Sequence, residues 1–377
     1  MGDGNDNRIN QTNRIIAIDV AKGLSICAIV LGHVSTGLLW DTTLIFATAA
    51  FFLLSGLTFN LDREEKGNFM WKMDTHFYDI FKKIFKRLIV PYLIWGVISI
   101  IIYMVYLRWI AKILTMDQIP KAIIDNLLGL VYGNSAWAHF EWNRPLWFLP
   151  CLFVVEIIAY SFLKISEKNN IFQTIMAVLL MCGGLCWMYH VDKVGSGVYV
   201  WPFETETALA MVFFFMLGFI LRKPILGIST RYIPLPVKVA MLSIGAIMIM
   251  AIMVMVTQRG GADTRTDLYR GIGYYLLGAG LGITATFLFA LVINGTYGGD
   301  KLSYIGKKTM GILVLHKFPI MFGKVFLDAL PKLIGITVNQ EGVIFELIFA
   351  TIIVLVTLLA EWVITYFIPD AFGPRFI

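Results

Sequence analysis

Long apolar runs alternate with short polar connections along the whole chain. Ten runs stand out, at 15–34, 42–60, 88–107, 145–163, 171–191, 204–221, 237–256, 271–293, 309–329 and 343–367. Each approaches or exceeds the about twenty apolar residues that carry a helix across a bilayer. The pattern predicts an all-α fold, a polytopic membrane helix bundle with about ten transmembrane helices. It also predicts one membrane domain over 1–377: a tail at 1–14, the bundle at 15–367 and a second tail at 368–377. No repeat of fixed period and no inverted pair of broken helices is visible in the sequence.

Composition excludes the other broad classes. The chain is 58% hydrophobic and 15% charged, whereas a soluble domain carries about 25% charged and about 45–50% apolar residues. A mean hydropathy of +0.76 does not fit a soluble enzyme, a disordered regulator or a nucleic-acid-binding domain. The basic balance, 31 Lys+Arg against 25 Asp+Glu, is then explained by cytoplasmic loops. With the N-terminus inside, 18 Lys/Arg fall in inner segments and 9 in outer ones, while Lys22, Lys238, Lys317 and Lys324 lie within spans. Both termini are therefore expected in the cytoplasm of a multi-pass cell-membrane protein. The first apolar stretch is interrupted by Asp19 and Lys22 and has no small-residue cleavage site behind it, so it is expected to be a retained span. Cys27, Cys151, Cys182 and Cys186 lie inside apolar runs and are expected to be small buried hydrophobes.

Two connections are long. Segment 61–87 ends in DIFKKIFKR, where Ile80, Phe81, Ile84 and Phe85 alternate with lysines at helical spacing. That spacing suits an amphipathic helix on anionic lipid or a basic mouth for an anionic substrate. Segment 108–144 holds a short apolar patch and then GNSAWAHFEWNRP, whose aromatics suit a membrane boundary or a sugar ring. Familiar motifs fail: YIGKKT (304–309) lacks the first glycine of a phosphate loop. GAGLG (278–282) reads as a small-residue helix-packing face. No His/Cys/carboxylate set has metal-ligand spacing, so no metal is expected.

Ionisable residues inside spans are costly and are functional suspects. The first span holds Asp19, Lys22 and His33. Eleven residues separate Lys22 from His33, about 20° past three full turns, so both project from one stripe about 16 Å apart at about 1.5 Å per residue. Asp19 lies one turn before Lys22 and can pair with it. The bland reading is a snorkelling lysine and an interfacial histidine. The functional reading is that this span matches the reach of a pantetheine arm, about 16 Å of extended chain. A cation would then hold phosphate at one end and a neutral imidazole would meet a thioester at the other.

Five segments carry a resemblance. IDVAKGLSICAIVLGH (18–33) resembles the first span of the acyltransferase type 3 family of integral-membrane O-acyltransferases, a basic residue, ten others, then histidine. FFLLSG (51–56) resembles its second span, with Ser55 and Gly56 in place. KKIFKRLIVPYLIWG (82–96) resembles the basic-then-proline start of the third. RPLWFLPCLFVVEI (144–157) resembles the Trp-Phe-Leu segment that ends in a glutamate, here Glu156. IGKKTMGILVLH (305–316) resembles the late glycine-lysine to histidine span of the glycan-acetylating branch. Two positions depart from the pattern: Lys22 stands where arginine is usual, and of Lys83, Lys86 and Arg87 only Arg87 matches the family's paired arginines in type.

The resemblance implies roles residue by residue. His33 would be the catalytic base or a transient acyl carrier, with Glu156 beside it in the catalytic set. Lys22, Lys86 and Arg87 would hold the anionic part of acyl-CoA. Ser55, Arg144, Trp147 and His316 would contact the acceptor or line the cavity. For Glu156 the alternative is a buried polar group paired within the bundle, and for His316 a structural hydrogen bond. His76, His139 and His190 sit at loops or span ends and are not expected to be catalytic. The expected activity is transfer of acetyl from cytoplasmic acetyl-CoA to a hydroxyl of a cell-surface polysaccharide or lipid-linked saccharide. Membrane lipids are the other partners, and no nucleic acid is expected. The rival is a secondary transporter or sugar exporter using the same intramembrane charges as relays.

Overall fold

A hydrocarbon environment offers the backbone no water, so each crossing segment must satisfy its own N–H and C=O groups. The computed structural model describes residues 3–59, 73–134, 143–165, 169–194, 200–229, 231–261, 271–334, 340 and 342–373, and of these 88% are helical with no strand. The helices are α1 (Asp3–Val34), α2 (Leu38–Thr58), α3 (Met73–Val105), α4 (Ile119–Tyr132), α5 (Phe148–Ile165), α6 (Asn170–Val194) and α7 (Thr205–Ser229). They continue with α8 (Leu235–Arg259), α9 (Ile272–Ile293), α10 (Tyr297–Lys307), α11 (Thr309–Leu315), α12 (Lys317–Ile334) and α13 (Val343–Phe367). Among the described residues nine helices are long and apolar enough to cross a membrane, and ten spans result when α11 and α12, bent by 45°, count as one. The fold is thus a polytopic all-α membrane bundle.

Chain contacts divide into two units. The first comprises Met1–Thr58, Met188–Ser196 and Phe214–Trp362. Lipid tails are as apolar as leucine, so helices in a membrane associate through close backbone approach at small residues. Gly56 of α2 faces the Phe215 carbonyl of α7, and Gly218 of α7 reciprocally faces the Leu53 carbonyl of α2; a Cβ at either glycine would strike backbone. Gly278 and Gly282 of α9 receive Ile45 and Phe46 of α2, so GAGLG is the packing face its spacing indicated. Gly37, at φ 70°, turns α1 into α2, and the Thr36 amide in that turn donates to Glu346 Oε1 of α13 at 3.0 Å.

The second unit comprises Phe59–Trp187, Gly197–Phe213 and Val363–Ile377, with α3 packed on α4 and α5. Here the sequence reading needs two corrections. The expected third span at 88–107 is a piece of a longer helix: the spanning segment runs Phe77–Ile110, so the DIFKKIFKR segment continues directly into the membrane. Phe77, Phe81 and Phe85 form a stacked ladder on α3 that meets Phe153 and Tyr160 of α5. That ladder anchors one face, while Lys82, Lys83 and Lys86 are exposed on another. The second correction concerns cysteine: Cys151 is buried and Cys27 half-buried, but Cys182 and Cys186 lie on an exposed face of α6. A one-turn spacing put that pair on one side of the helix without revealing which side packed. All four thiols are free.

Pro91 removes one helical donor from α3 and frees the Arg87 carbonyl four residues earlier. Gly373 comes close to that same carbonyl, where a Cβ would stand 3.1 Å from it. Phe372 stacks on Trp95 at 5.1 Å, and Trp95 Nε1 donates to the Ala371 carbonyl at 2.9 Å. The expected tail at 368–377 therefore packs along α3 over 371–373.

Candidate active site

The first unit brings the sequence-predicted first-span residues against a second polar run. Gly23 of α1 and Gly306 of α10 lie at a crossing so close that a Cβ on Gly23 would strike the Leu302 carbonyl and one on Gly306 the Asp19 carbonyl. Both neighbouring lysines, Lys22 and Lys307, exert their charge on the buried Asp19. Ten residues beyond each glycine, the rings of His33 and His316 stand edge to face with centroids 5.1 Å apart. The segment from Gly306 to His316 must therefore run alongside α1 in the same direction over about 15 Å.

Both imidazoles are set in the same way. His33 Nδ1 lies 2.8 Å from the Ile29 carbonyl and His316 Nδ1 lies 2.9 Å from the Ile312 carbonyl. A carbonyl only accepts, so each Nδ1 carries a proton and, in the neutral ring, each Nε2 presents a lone pair. His316 is completely buried and its Nε2 meets no partner among the described residues. His316 sits at the break between α11 and α12, which re-aims the chain at this point. His33 is half-buried and also meets the Trp40 ring edge to face, at 5.9 Å. Farther along, Lys308 Nζ donates to Glu361 Oε1 at 2.7 Å, and Gly311 makes room for that glutamate.

The other expected site residues are distributed differently. Ser55 belongs to the first unit and is half-buried on α2. In the second unit Arg87 donates to and ion-pairs with Glu156, so Glu156 is a buried carboxylate with a cationic partner. Lys86 is exposed beside it, Arg144 is exposed, and Trp147 is half-buried edge to face with Phe148 at 6.3 Å. His139 lies outside the described residues.

The chain matches the family model described as an acyltransferase domain over residues 15–366. It belongs to the acyltransferase type 3 family. No curated protein and no solved structure matches it. As a member of this family it is a membrane acyltransferase. The sequence reading missed three neighbours. Lys307 stands in the glycine-lysine to histidine segment that carries the resemblance, yet it was assigned no role there. Glu346 and Glu361 are carboxylates in an otherwise apolar helix, and the cost of an intramembrane charge would have flagged them.

Proposed function

We propose that this acyltransferase moves an acetyl group from cytoplasmic acetyl-CoA to a hydroxyl of a cell-surface polysaccharide or lipid-linked saccharide, in the cell membrane with both termini in the cytoplasm. The observation that carries the reading is the pair of imidazoles, His33 and His316, each held by Nδ1 so that Nε2 is basic. In the proposed step His33 Nε2 takes the acceptor hydroxyl proton as the oxygen attacks the thioester carbonyl. The C–O bond forms, the C–S bond breaks, and the imidazolium returns its proton to the CoA sulfur. Lys22 lies about 16 Å along the helix, the reach of a pantetheine arm, and suits the donor's phosphates. In the second unit, the exposed Lys86 and the Glu156-bound Arg87 are proposed donor contacts on charge alone, and Arg144 and Trp147 acceptor contacts. Ser55 and His316 are proposed to line the acceptor cavity.

The test uses purified full-length protein in a membrane mimic with acetyl-CoA and a candidate glycan. The expected result is stoichiometric release of CoA thiol and appearance of an acetyl ester, both abolished by His33→Ala while the protein stays folded. A transporter would move the glycan or an ion without releasing thiol. Full turnover by His33→Ala would overturn the assignment.

A further inference from the structure

The outer portion of α3 and the short helix α4 enclose a groove of about 310 Å³ within the second unit. Val97, Ile101, Met104 and Val105 form its stripe on α3, and Ile123 and Leu127 face them from α4. Arg108 closes one end. It stands in a five-residue π-helical turn, Tyr106–Ile110, where the Ala111 amide bonds the Tyr106 carbonyl at 2.9 Å instead of a residue four back. Such single turns insert one residue and re-aim side chains, frequently at functional positions. The chain then leaves through Lys112 at φ 55°.

Arg108 is poorly satisfied by the protein. Its Nε is buried and has no hydrogen-bond partner among the described residues. Its guanidinium lies 5.1 Å from the Trp109 ring centroid, and Trp109 is itself 63% exposed, in the manner of an aromatic at the headgroup level. The nearby Asp117 in the α3–α4 connection is engaged by Thr115. A buried guanidinium atom without an acceptor is costly, and a phosphate supplies the acceptors it lacks. Arg108 lies two residues before the end of the spanning segment Phe77–Ile110, so a groove along that segment is expected to run from the headgroup level into the hydrocarbon. Basic residues at the mouth of an apolar cleft between membrane helices are how anionic lipid headgroups are held.

We infer that this groove is a binding site for a phosphate-bearing lipid, with the phosphate on Arg108 and one hydrocarbon chain along the α3–α4 stripe. The inference is independent of the acyl-transfer reading. It is tested on the full-length protein by native mass spectrometry and by equilibrium titration with three probes: dioleoyl phosphatidic acid, dioleoylglycerol and inorganic phosphate. Phosphatidic acid should bind at one site, about tenfold or more tighter than dioleoylglycerol, as a charge-assisted contact requires. Inorganic phosphate should neither bind nor compete. Arg108→Gln should remove the preference for phosphatidic acid over dioleoylglycerol. Ile123→Trp, which fills the groove, should reduce both lipids, with each variant keeping the wild-type unfolding midpoint. Equal binding of the two lipids to the wild type, an undiminished preference in Arg108→Gln, or displacement by inorganic phosphate would overturn it. Should Ile123→Trp fail to fold, the Arg108→Gln preference decides alone.

Discussion

His33 and His316 meet edge to face at 5.1 Å although 283 residues separate them, and the crossing that brings them together is set ten residues earlier by Gly23 and Gly306. The two runs share a plan. Each has a lysine adjacent to the glycine and a histidine ten residues on, with Nδ1 bonded to the carbonyl four residues back. The candidate site is therefore a pair of rails whose spacing is fixed by backbone contact at one end and read out as an imidazole pair at the other.

The rails put His316 beside the proposed base, where a chemical role beyond packing can be tested. Its Nε2 is buried and meets no partner among the described residues, beside a second imidazole, and an idle buried acceptor is expensive to keep. His316→Gln is expected to lower kcat by about 10²–10⁴-fold, the range of general acid–base contributions, with KM for acetyl-CoA unchanged. Thiol release under saturating donor measures it. A variant with wild-type kcat would reduce His316 to structure.

Gly306→Ala is expected to destabilise by about 1–3 kcal/mol, the cost of overpacking, because its Cβ strikes the Asp19 carbonyl, which cannot swing aside. The same change should lower turnover by displacing the histidine rail. Gly280→Ala is the control: nothing stands within 4 Å of its Cβ, and alanine in a helix gains up to about 1 kcal/mol. Thermal unfolding midpoints in detergent should fall for the first and hold or rise for the second.

The order and number of spans were legible because the bilayer makes apolar run length almost a direct readout of helix position. The stripe joining Lys22 to His33 was legible for a similar reason, since helical pitch alone fixes it. The contact of His33 with His316 was not legible from pitch, and only the resemblance turned His316 toward the cavity. Periodicity says which face His316 occupies but not that α11 lies against α1, a fact set by the Gly23–Gly306 crossing. Cys182 and Cys186 fail the same way, because hydropathy cannot distinguish a lipid-facing side from a protein-facing one. The continuation of α3 back through the lysines was obscured because those charges depress hydropathy while the Phe77–Phe81–Phe85 ladder keeps the helix packed.

Glu156 has a test that separates pairing from catalysis. Its partner is Arg87, whose Nε is itself buried without another partner among the described residues. Removing either group alone leaves a poorly compensated charge at a cost of about 3 kcal/mol. Glu156→Leu and Arg87→Leu should each lower the unfolding midpoint, and the double variant should recover most of the loss. A Glu156→Gln protein of unchanged stability whose kcat falls would instead assign the carboxylate to the chemistry.

The last expectation concerns the charges around Asp19. Lys22 and Lys307 act on it from separate helices, and on the proposed function the net positive cluster at that crossing would hold the anionic donor. Charge reversal at either lysine, Lys22→Glu or Lys307→Glu, is expected to weaken acetyl-CoA binding by about tenfold, the worth of one charge-assisted contact. Asp19→Asn should act with the opposite sign, because it removes the negative charge both lysines now face. All three effects should shrink as ionic strength rises and the Debye length contracts. Titration calorimetry at low and high salt checks the signs together. Equal affinity across wild type, Lys22→Glu and Lys307→Glu at low salt would move the donor's phosphates away from this crossing.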